Sequence, residues 1–307
     1  MLATFLTILA VTSIAASPKP QRPIPAVEHI VLISVDGLRP DLALRANMPV
    51  LRRMLSEGSY TFWAKTTEVS VTLPSHTSMV TGVTPRTHGV TWNDDLAPDR
   101  KIYPKVPTVM ELARRAGYVT AMVAGKSKFV TLAKPGTLTY SFMPDRKTGI
   151  VSNEVVLSQA EDIIRQHQPD LLFIHFPDVD SAGHESGWGS PQQIAAVEKT
   201  DAALGIVFSA LERANIRKST IVILSADHGG AGLSHGPDDT RSRHIPWIIV
   251  GPGVRRGFDL TRIETLDVHT EDTAATILYL LGLPRGSYLE GRAVVAGFAT
   301  EPKTAIH

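Results

Sequence analysis

Five short apolar, β-branched runs, each separated from the next by a helix-patterned stretch, limit this chain to few architectures. The runs are His29 to Asp36, Tyr118 to Ala124, Asp170 to Phe176, Thr220 to Ala226 and Ile245 to Val250. Between and after them the sequence predicts helices over Met48 to Glu57, Pro107 to Ala116, Ser152 to His167, Ser190-Pro191 to Ala214 and Asp267 to Leu281. Strands that are apolar throughout are buried on both faces, and strand–helix alternation at this spacing builds a parallel sheet with helices on either side. The expected fold is therefore α/β: a three-layer, doubly wound, mostly parallel sheet. With 307 residues and no internal repeat, residues 29–300 read as a single domain, entered through a Pro-rich linker over 18–28.

Such a sheet collects ligands at the carboxyl ends of its strands. Asp36 ends the first run, and Gly125-Lys126-Ser127-Lys128 follows the second. The third runs into Pro177-Asp178-Val179-Asp180-Ser181-Ala182-Gly183-His184, and the fourth ends in Asp227-His228-Gly229-Gly230. Asp180 and His184 stand four apart, which brings both to one face of a helical turn and suits a metal pair; Asp178 competes with Asp180 but lacks that spacing. His235 and His244 follow in the polar stretch before the fifth run. Each fragment alone has an ordinary reading as a turn, a cap or a solvated loop.

Composition narrows the chemistry. Thirty-one basic and 30 acidic residues give a net charge of +1, with no electrostatic footprint for a nucleic-acid polymer. There is no cysteine, so any metal must be held by imidazole and carboxylate, a set that permits zinc or manganese. Residues 1–17 are apolar with small residues at the end and read as a signal peptide, although no Lys or Arg precedes the apolar run. Nothing later is long and apolar enough for stable membrane insertion, so the expected location is exported, periplasmic or extracellular.

A second stretch, residues 67–93, carries the candidate nucleophile. Pro74 or Ser75 suits a first helical turn or cap, which places Thr72 just outside a helix N-terminus. Backbone N–H groups and the helix dipole favour an anion there, whether phosphate or alkoxide. His76 and His88 read as turn and cap residues and His175 as a satisfied core histidine; Trp92, Trp188 and Trp247 could line a pocket, although packing is the more common use of Trp. Three Asp, three His and a hydroxyl make a set for two divalent ions in phosphoryl hydrolysis.

The ordered motifs VDGLRPD, TLPSHTSMVTGVTPRTHGV, DSAGH, DHGG and HG resemble the nucleotide pyrophosphatase/phosphodiesterase (type I phosphodiesterase) branch of the alkaline phosphatase superfamily. The resemblance covers Ile30 to about Val254 and implies an alkaline phosphatase-like fold. It implies one zinc on Asp36, Thr72, Asp227 and His228, a second on Asp180, His184 and His235, and Thr72 as nucleophile. His235 is favoured over His244 because the family's histidine is followed by Gly. Asn93 matches the family's donor to a non-bridging phosphoryl oxygen. Lys126 and Lys128 look like the Lys-x-Lys pair of phosphonoacetate hydrolase and some monoesterases of the superfamily, which binds a doubly charged phosphoryl end.

The expectation is an exported two-metal hydrolase of a small phosphorylated substrate, working through a phospho-threonine intermediate, with a monoester or phosphonate slightly favoured. The alternative is a phosphodiesterase or nucleotide pyrophosphatase. A phosphotransferase and a non-catalytic metal-binding relative are further alternatives.

Overall fold

The computed structural model describes residues 19–95, 102–236 and 239–299. The signal-peptide segment over 1–17, the first residue of the linker and the last residue of the expected domain lie outside the described residues. Among the described residues, eight strands join one sheet in the order β4-β3-β5-β1-β6-β7-β2-β8. They are β1 His29–Val35, β2 Ser59–Lys65, β3 Thr120–Ala124, β4 Tyr140–Phe142, β5 Leu171–Phe176, β6 Thr220–Ser225, β7 His244–Val250 and β8 Phe258–Asp259. The helices are α1 Pro40–Arg45, α2 Pro49–Glu57, α3 Thr72–Thr81, α4 Pro85–His88, α5 Val109–Arg115, α6 Asn153–His167, α7 Asp178–Ser186, α8 Pro191–Arg213, α9 Thr240–Arg243 and α10 Asp272–Leu280.

The central strands β3, β5, β1 and β6 run parallel in register, Ile30 opposite Leu171 and Ile221. Every residue of β3, β5 and β6 is buried, as expected of apolar strands covered on both faces. One helical layer groups α1, α2, α6 and α7 around α8, and the other groups α3, α4, α5 and α10. Helix α6 buries Val156, Ala160 and Ile164, one face at a spacing of four. Ser190 caps α8 by accepting from Gln193 N at 3.2 Å, and Thr108 caps α5 by accepting from Glu111 N at 3.2 Å. This is a mixed α/β fold with a central sheet and flanking helices.

The structure adds β2, β4 and β8 to the five strands read from sequence. Strands β4 and β8 are short edge pieces of three and two residues, too brief to leave a pattern. Strand β7 alone opposes the rest, because the 226–243 connection returns it beside β6 without a crossover. Helix α10 begins at Asp272 rather than Asp267, since Lys65 and Thr270 first extend the edge through Lys65 N to Val268 O and Thr270 N to Lys65 O, each at 2.9 Å. Segment 19–28 lies against the amino ends of the strands, where Lys19 and Arg22 pair with Asp170 at 2.7 and 3.2 Å.

Helix α3 is buried along its whole length, so its polar side chains find partners within the fold. Thr77 Oγ1 donates to Leu73 O at 2.7 Å, and Thr81 Oγ1 to Thr77 O at 2.7 Å. His88 accepts at Nδ1 from Val90 N at 3.0 Å and reaches Ser78 Oγ through Nε2 at 3.0 Å. Burial pushes the His88 pKa from 6.5 down to about 4, so the folded chain holds the ring neutral where the unfolded chain protonates it. The stabilisation is complete above pH 6.5 and is lost as pH falls toward 4, up to about 3 kcal/mol. Urea unfolding at pH 7.5 and pH 4.5 should show this loss, and His88→Gln should flatten the pH dependence.

Candidate active site

The carboxyl ends of β1, β3, β5 and β6 share one edge of the sheet, and the chain leaving each strand there supplies a charged side chain. Asp36 follows β1, Lys126 follows β3, α7 follows β5 with Asp180 in its first turn, and Asp227-His228 follow β6. Strand β2 ends at the same edge and leads to Thr72, the first residue of α3, with Val71 as its N-cap. Thr72 therefore stands inside the helix start rather than just outside it.

Two clusters form, Asp36–Asp227–His228 and Asp180–His184–His235, with the ligand atoms of each within 4.8 Å of one another. His228 Nε2 lies 3.4 Å from Asp36 Oδ1 and 3.2 Å from Asp227 Oδ2. In the second cluster, Asp180 Oδ1 lies 3.4 Å from His184 Nε2 and 3.7 Å from His235 Nε2. The clusters abut: the His228 and His235 rings stack with centroids 3.6 Å apart. Of the competing residues, His244 sits edge-on to Trp63 and Asp178 accepts from Asn153 N at 3.0 Å; neither joins a cluster.

The proton inventory shows what the clusters are suited to hold. His184 Nδ1 faces Leu233 O at 3.0 Å, His228 Nδ1 faces Gly229 O at 2.8 Å, and His235 Nδ1 faces Ser70 O at 3.0 Å. A carbonyl oxygen only accepts, so each Nδ1 carries the proton, and each ring in its neutral form turns its Nε2 lone pair toward a carboxylate. Among the described residues, Asp36 Oδ1, Asp180 Oδ1 and Asp227 Oδ2 are the buried carboxylate oxygens without a hydrogen-bond partner, and they are the ones facing those lone pairs. Lone pair against lone pair at buried carboxylates calls for positive charge between them. The donor sets fit two metal ions.

Burial and the neighbouring Asp36 carboxylate push Asp227 well above the usual carboxylate range. Burial acts the same way on Asp36, but the Lys126 charge and the His175 hydrogen bond outweigh it and hold Asp36 well below that range. Burial lowers His228 to about 4, which leaves a neutral donor at neutral pH. Glycines make room for this crowding. A side chain on Gly229 would meet Arg241 O at 2.2 Å, and one on Gly230 would meet Trp188 at 2.3 Å. The Gly pair after His228 thus serves close approach; neither residue takes a left-handed φ.

Thr72 Oγ1 lies 3.5 Å from His228 Nε2 and 3.5 Å from Lys126 Nζ. Asn93 accepts from Leu73 N at 2.9 Å through Oδ1, which orients its amide beside Thr72. The two lysines differ from expectation. Lys126 Nζ bridges Asp36 Oδ2 at 2.7 Å and Asp180 Oδ2 at 2.6 Å, and Lys128 Nζ donates to Asn93 O at 2.5 Å. Both answer negative charge or carbonyls of the protein itself rather than standing free for a phosphoryl end.

Three residues that the sequence left as ordinary also belong here. His175 Nε2 contacts Asp36 Oδ2 at 2.8 Å, and His76 Nδ1 contacts Thr72 O at 2.7 Å. Trp188 donates to Gly37 O at 3.1 Å and lies 5.1 and 5.7 Å from the His184 and His235 rings. The available signal was a histidine inside the otherwise apolar run LLFIHF, and another one helical turn beyond Thr72.

Comparison with known proteins gives one family and many relatives. The family model for type I phosphodiesterase / nucleotide pyrophosphatase matches residues 30–242. An uncharacterized pyrophosphatase/phosphodiesterase of Schizosaccharomyces pombe is 24% identical over 226 residues, 67% of this chain and 45% of that protein. Human GPI ethanolamine phosphate transferase 2, catalytic subunit, is 25% identical over 277 residues, 85% of this chain and 27% of that protein. The chain thus spans less than half the length of these curated relatives. The fold matches murine ectonucleotide pyrophosphatase/phosphodiesterase 5, solved as an inactive variant in complex with AMP, with a TM-score of 0.72 at 16% identity, over 88% of this chain and 98% of that one. A 2-O GAG sulfatase, BT1596, shares the fold with a TM-score of 0.72 at 15% identity, over 94% of this chain and 76% of that one.

Zinc titration into chelator-stripped protein should reach two equivalents and change Trp188 fluorescence as the second cluster fills. His184→Ala should bind one equivalent with the fluorescence step lost. Metal analysis after gel filtration checks the stoichiometry.

Proposed function

This chain belongs to the type I phosphodiesterase / nucleotide pyrophosphatase family, and on that premise we propose that it hydrolyses phosphodiester or pyrophosphate bonds of small molecules, using Thr72 as nucleophile. The observation that carries the reading is the arrangement of the three partnerless carboxylate oxygens, facing three Nε2 lone pairs, beside one buried hydroxyl.

Asp36, Asp227 and His228 would hold one cation with Thr72, and Asp180, His184 and His235 the other; imidazole and carboxylate donors suit zinc or manganese. When bound, such a pair lowers the pKa of a hydroxyl or water and neutralises charge on the leaving oxygen. The chain supplies the rest. Thr72 Oγ1, fixed at the start of α3, forms the bond to phosphorus while the ester or anhydride oxygen leaves. Water then attacks the phospho-threonine, and Oγ1 leaves in turn. The α3 N-terminus and the Asn93 amide face the phosphoryl oxygens, where charge grows in the transition state. Lys126 holds Asp36 and Asp180 at a fixed separation.

The monoester or phosphonate preference expected from Lys126 and Lys128 gives way here. Lys128 is engaged by Asn93 O, and Lys126 by two carboxylates, so the second positive charge that a dianionic end needs is already answered. One relative is named as a transferase and spans 85% of this chain, which favours as a second reading the passage of the phosphoryl group from Thr72 to an alcohol. Export is part of the proposal and rests on the N-terminal apolar run. No helix among the described residues is long and apolar enough to cross a membrane.

The zinc-loaded protein should hydrolyse bis-p-nitrophenyl phosphate faster than p-nitrophenyl phosphate, and chelation should abolish both. Thr72→Ala should lower kcat on the diester by about 10³-fold or more while binding two zinc ions. A preference for the monoester, or an active Thr72→Ala, contradicts the reading. Added glycerol diverting product into a glycerol phosphoester would instead support the transferase.

A further inference from the structure

We propose that His175 and His76 are positioning residues: a buried pair of imidazoles in opposite tautomers that together fix Asp36 and the Thr72 end of α3. The proposal rests on the two-cation, threonine-nucleophile reading above. Both rings are wholly buried, and their centroids lie 5.0 Å apart at 78°. Phe129 covers both, at 4.3 Å from His175 and 4.8 Å from His76, so neither reaches solvent or substrate.

The tautomers follow from their partners. Gly125 N donates to His175 Nδ1 at 3.2 Å, so Nδ1 is the acceptor and the proton sits on Nε2. That Nε2–H donates to Asp36 Oδ2 at 2.8 Å, the same oxygen that Lys126 reaches at 2.7 Å. Oδ2 is thereby satisfied by protein, and Oδ1 is the oxygen left to face the first cluster. His76 works the other way round. Its Nδ1 faces only acceptors, Thr72 O at 2.7 Å and Asp227 Oδ2 at 3.3 Å, so the proton sits on Nδ1. Nε2 then accepts from Ser34 Oγ at 2.7 Å. Ser34 and His175 are register partners on adjacent strands β1 and β5, so the pair is anchored in the sheet that ends in Asp36.

Each ring thus controls which atom of a neighbour is free. His175 selects the oxygen of Asp36 that faces a cation. His76 holds the Thr72 carbonyl through Nδ1 and Ser34 Oγ of β1 through Nε2, and so ties the first turn of α3, which carries the nucleophile, to the sheet. Hydrogen bonds behind a metal ligand typically set affinity by 10- to 100-fold.

The test uses the zinc-loaded full chain and three substitutions at His175. His175→Gln extends an amide donor to the Nε2 position and should keep zinc affinity near that of the parent. His175→Asn places its amide at the Nδ1 position, away from Asp36, and His175→Leu has no donor; each should weaken the affinity of one zinc about 10- to 100-fold. His76→Asn, which keeps a donor at the Nδ1 position, should retain kcat, and His76→Leu should lower kcat with zinc content and KM unchanged. Should either leucine variant fail to fold, the Gln against Asn comparison and the ring ¹⁵N spectrum of the parent decide. That spectrum should show His175 protonated at Nε2 and His76 at Nδ1. Equal zinc affinity in His175→Gln, His175→Asn and the parent, or the same tautomer for both rings, overturns the proposal. A parent that binds no zinc pair defeats the underlying two-cation reading instead, and the ring spectrum still reports on the tautomers.

Discussion

Three buried carboxylates at one edge of a parallel sheet cannot all stay ionised without positive charge among them. Asp36, Asp180 and Asp227 are all buried, and Asp36 pushes the Asp227 carboxyl up. Lys126 supplies one positive charge from within the chain and reaches Asp36 and Asp180 but not the outward oxygens. The remaining deficit, facing three imidazole lone pairs, defines what the site can accept. Metal dications answer it, and the hydroxyl of Thr72 stands where the first would polarise it.

The fold makes that concentration of charge tolerable. Strands β3, β5, β1 and β6 bury apolar residues on both faces and release their polar residues only at the carboxyl ends. Helix α3 is buried end to end and still carries three Thr, two Ser and a His, because its own backbone carbonyls and side chains elsewhere in the fold satisfy them. A rigid buried helix holds Thr72 better than a surface loop could. Trp188 closes the arrangement from the other side, tied to Gly37 beside Asp36 and pressed against Gly230 after His228.

Much of this was legible in the sequence, for a physical reason. A strand apolar on both faces has one reading, so the five main strands and the side chains that follow them could be placed without coordinates. The four-residue spacing of Asp180 and His184 likewise fixes a helical face, and α7 presents it. Strand β2 was missed because its bulge between Thr61 and Ala64 breaks the alternation. The targets of Lys126 and Lys128 were out of reach for another reason. A long flexible side chain takes the nearest uncompensated charge or carbonyl, and sequence does not say which one that is. His175 and His76 were read as ordinary because burial alone does not distinguish a core histidine from one behind a ligand.

The most direct test of the account is capture of the covalent intermediate. Zinc-loaded protein mixed with bis-p-nitrophenyl phosphate and quenched in acid within one turnover should carry the transferred phosphoryl group on Thr72, found by fragmentation of the peptide that contains it. The chelated protein should carry none. Steady turnover with no adduct on that peptide, or an adduct on another residue, would contradict the central claim that the two clusters are built around Thr72.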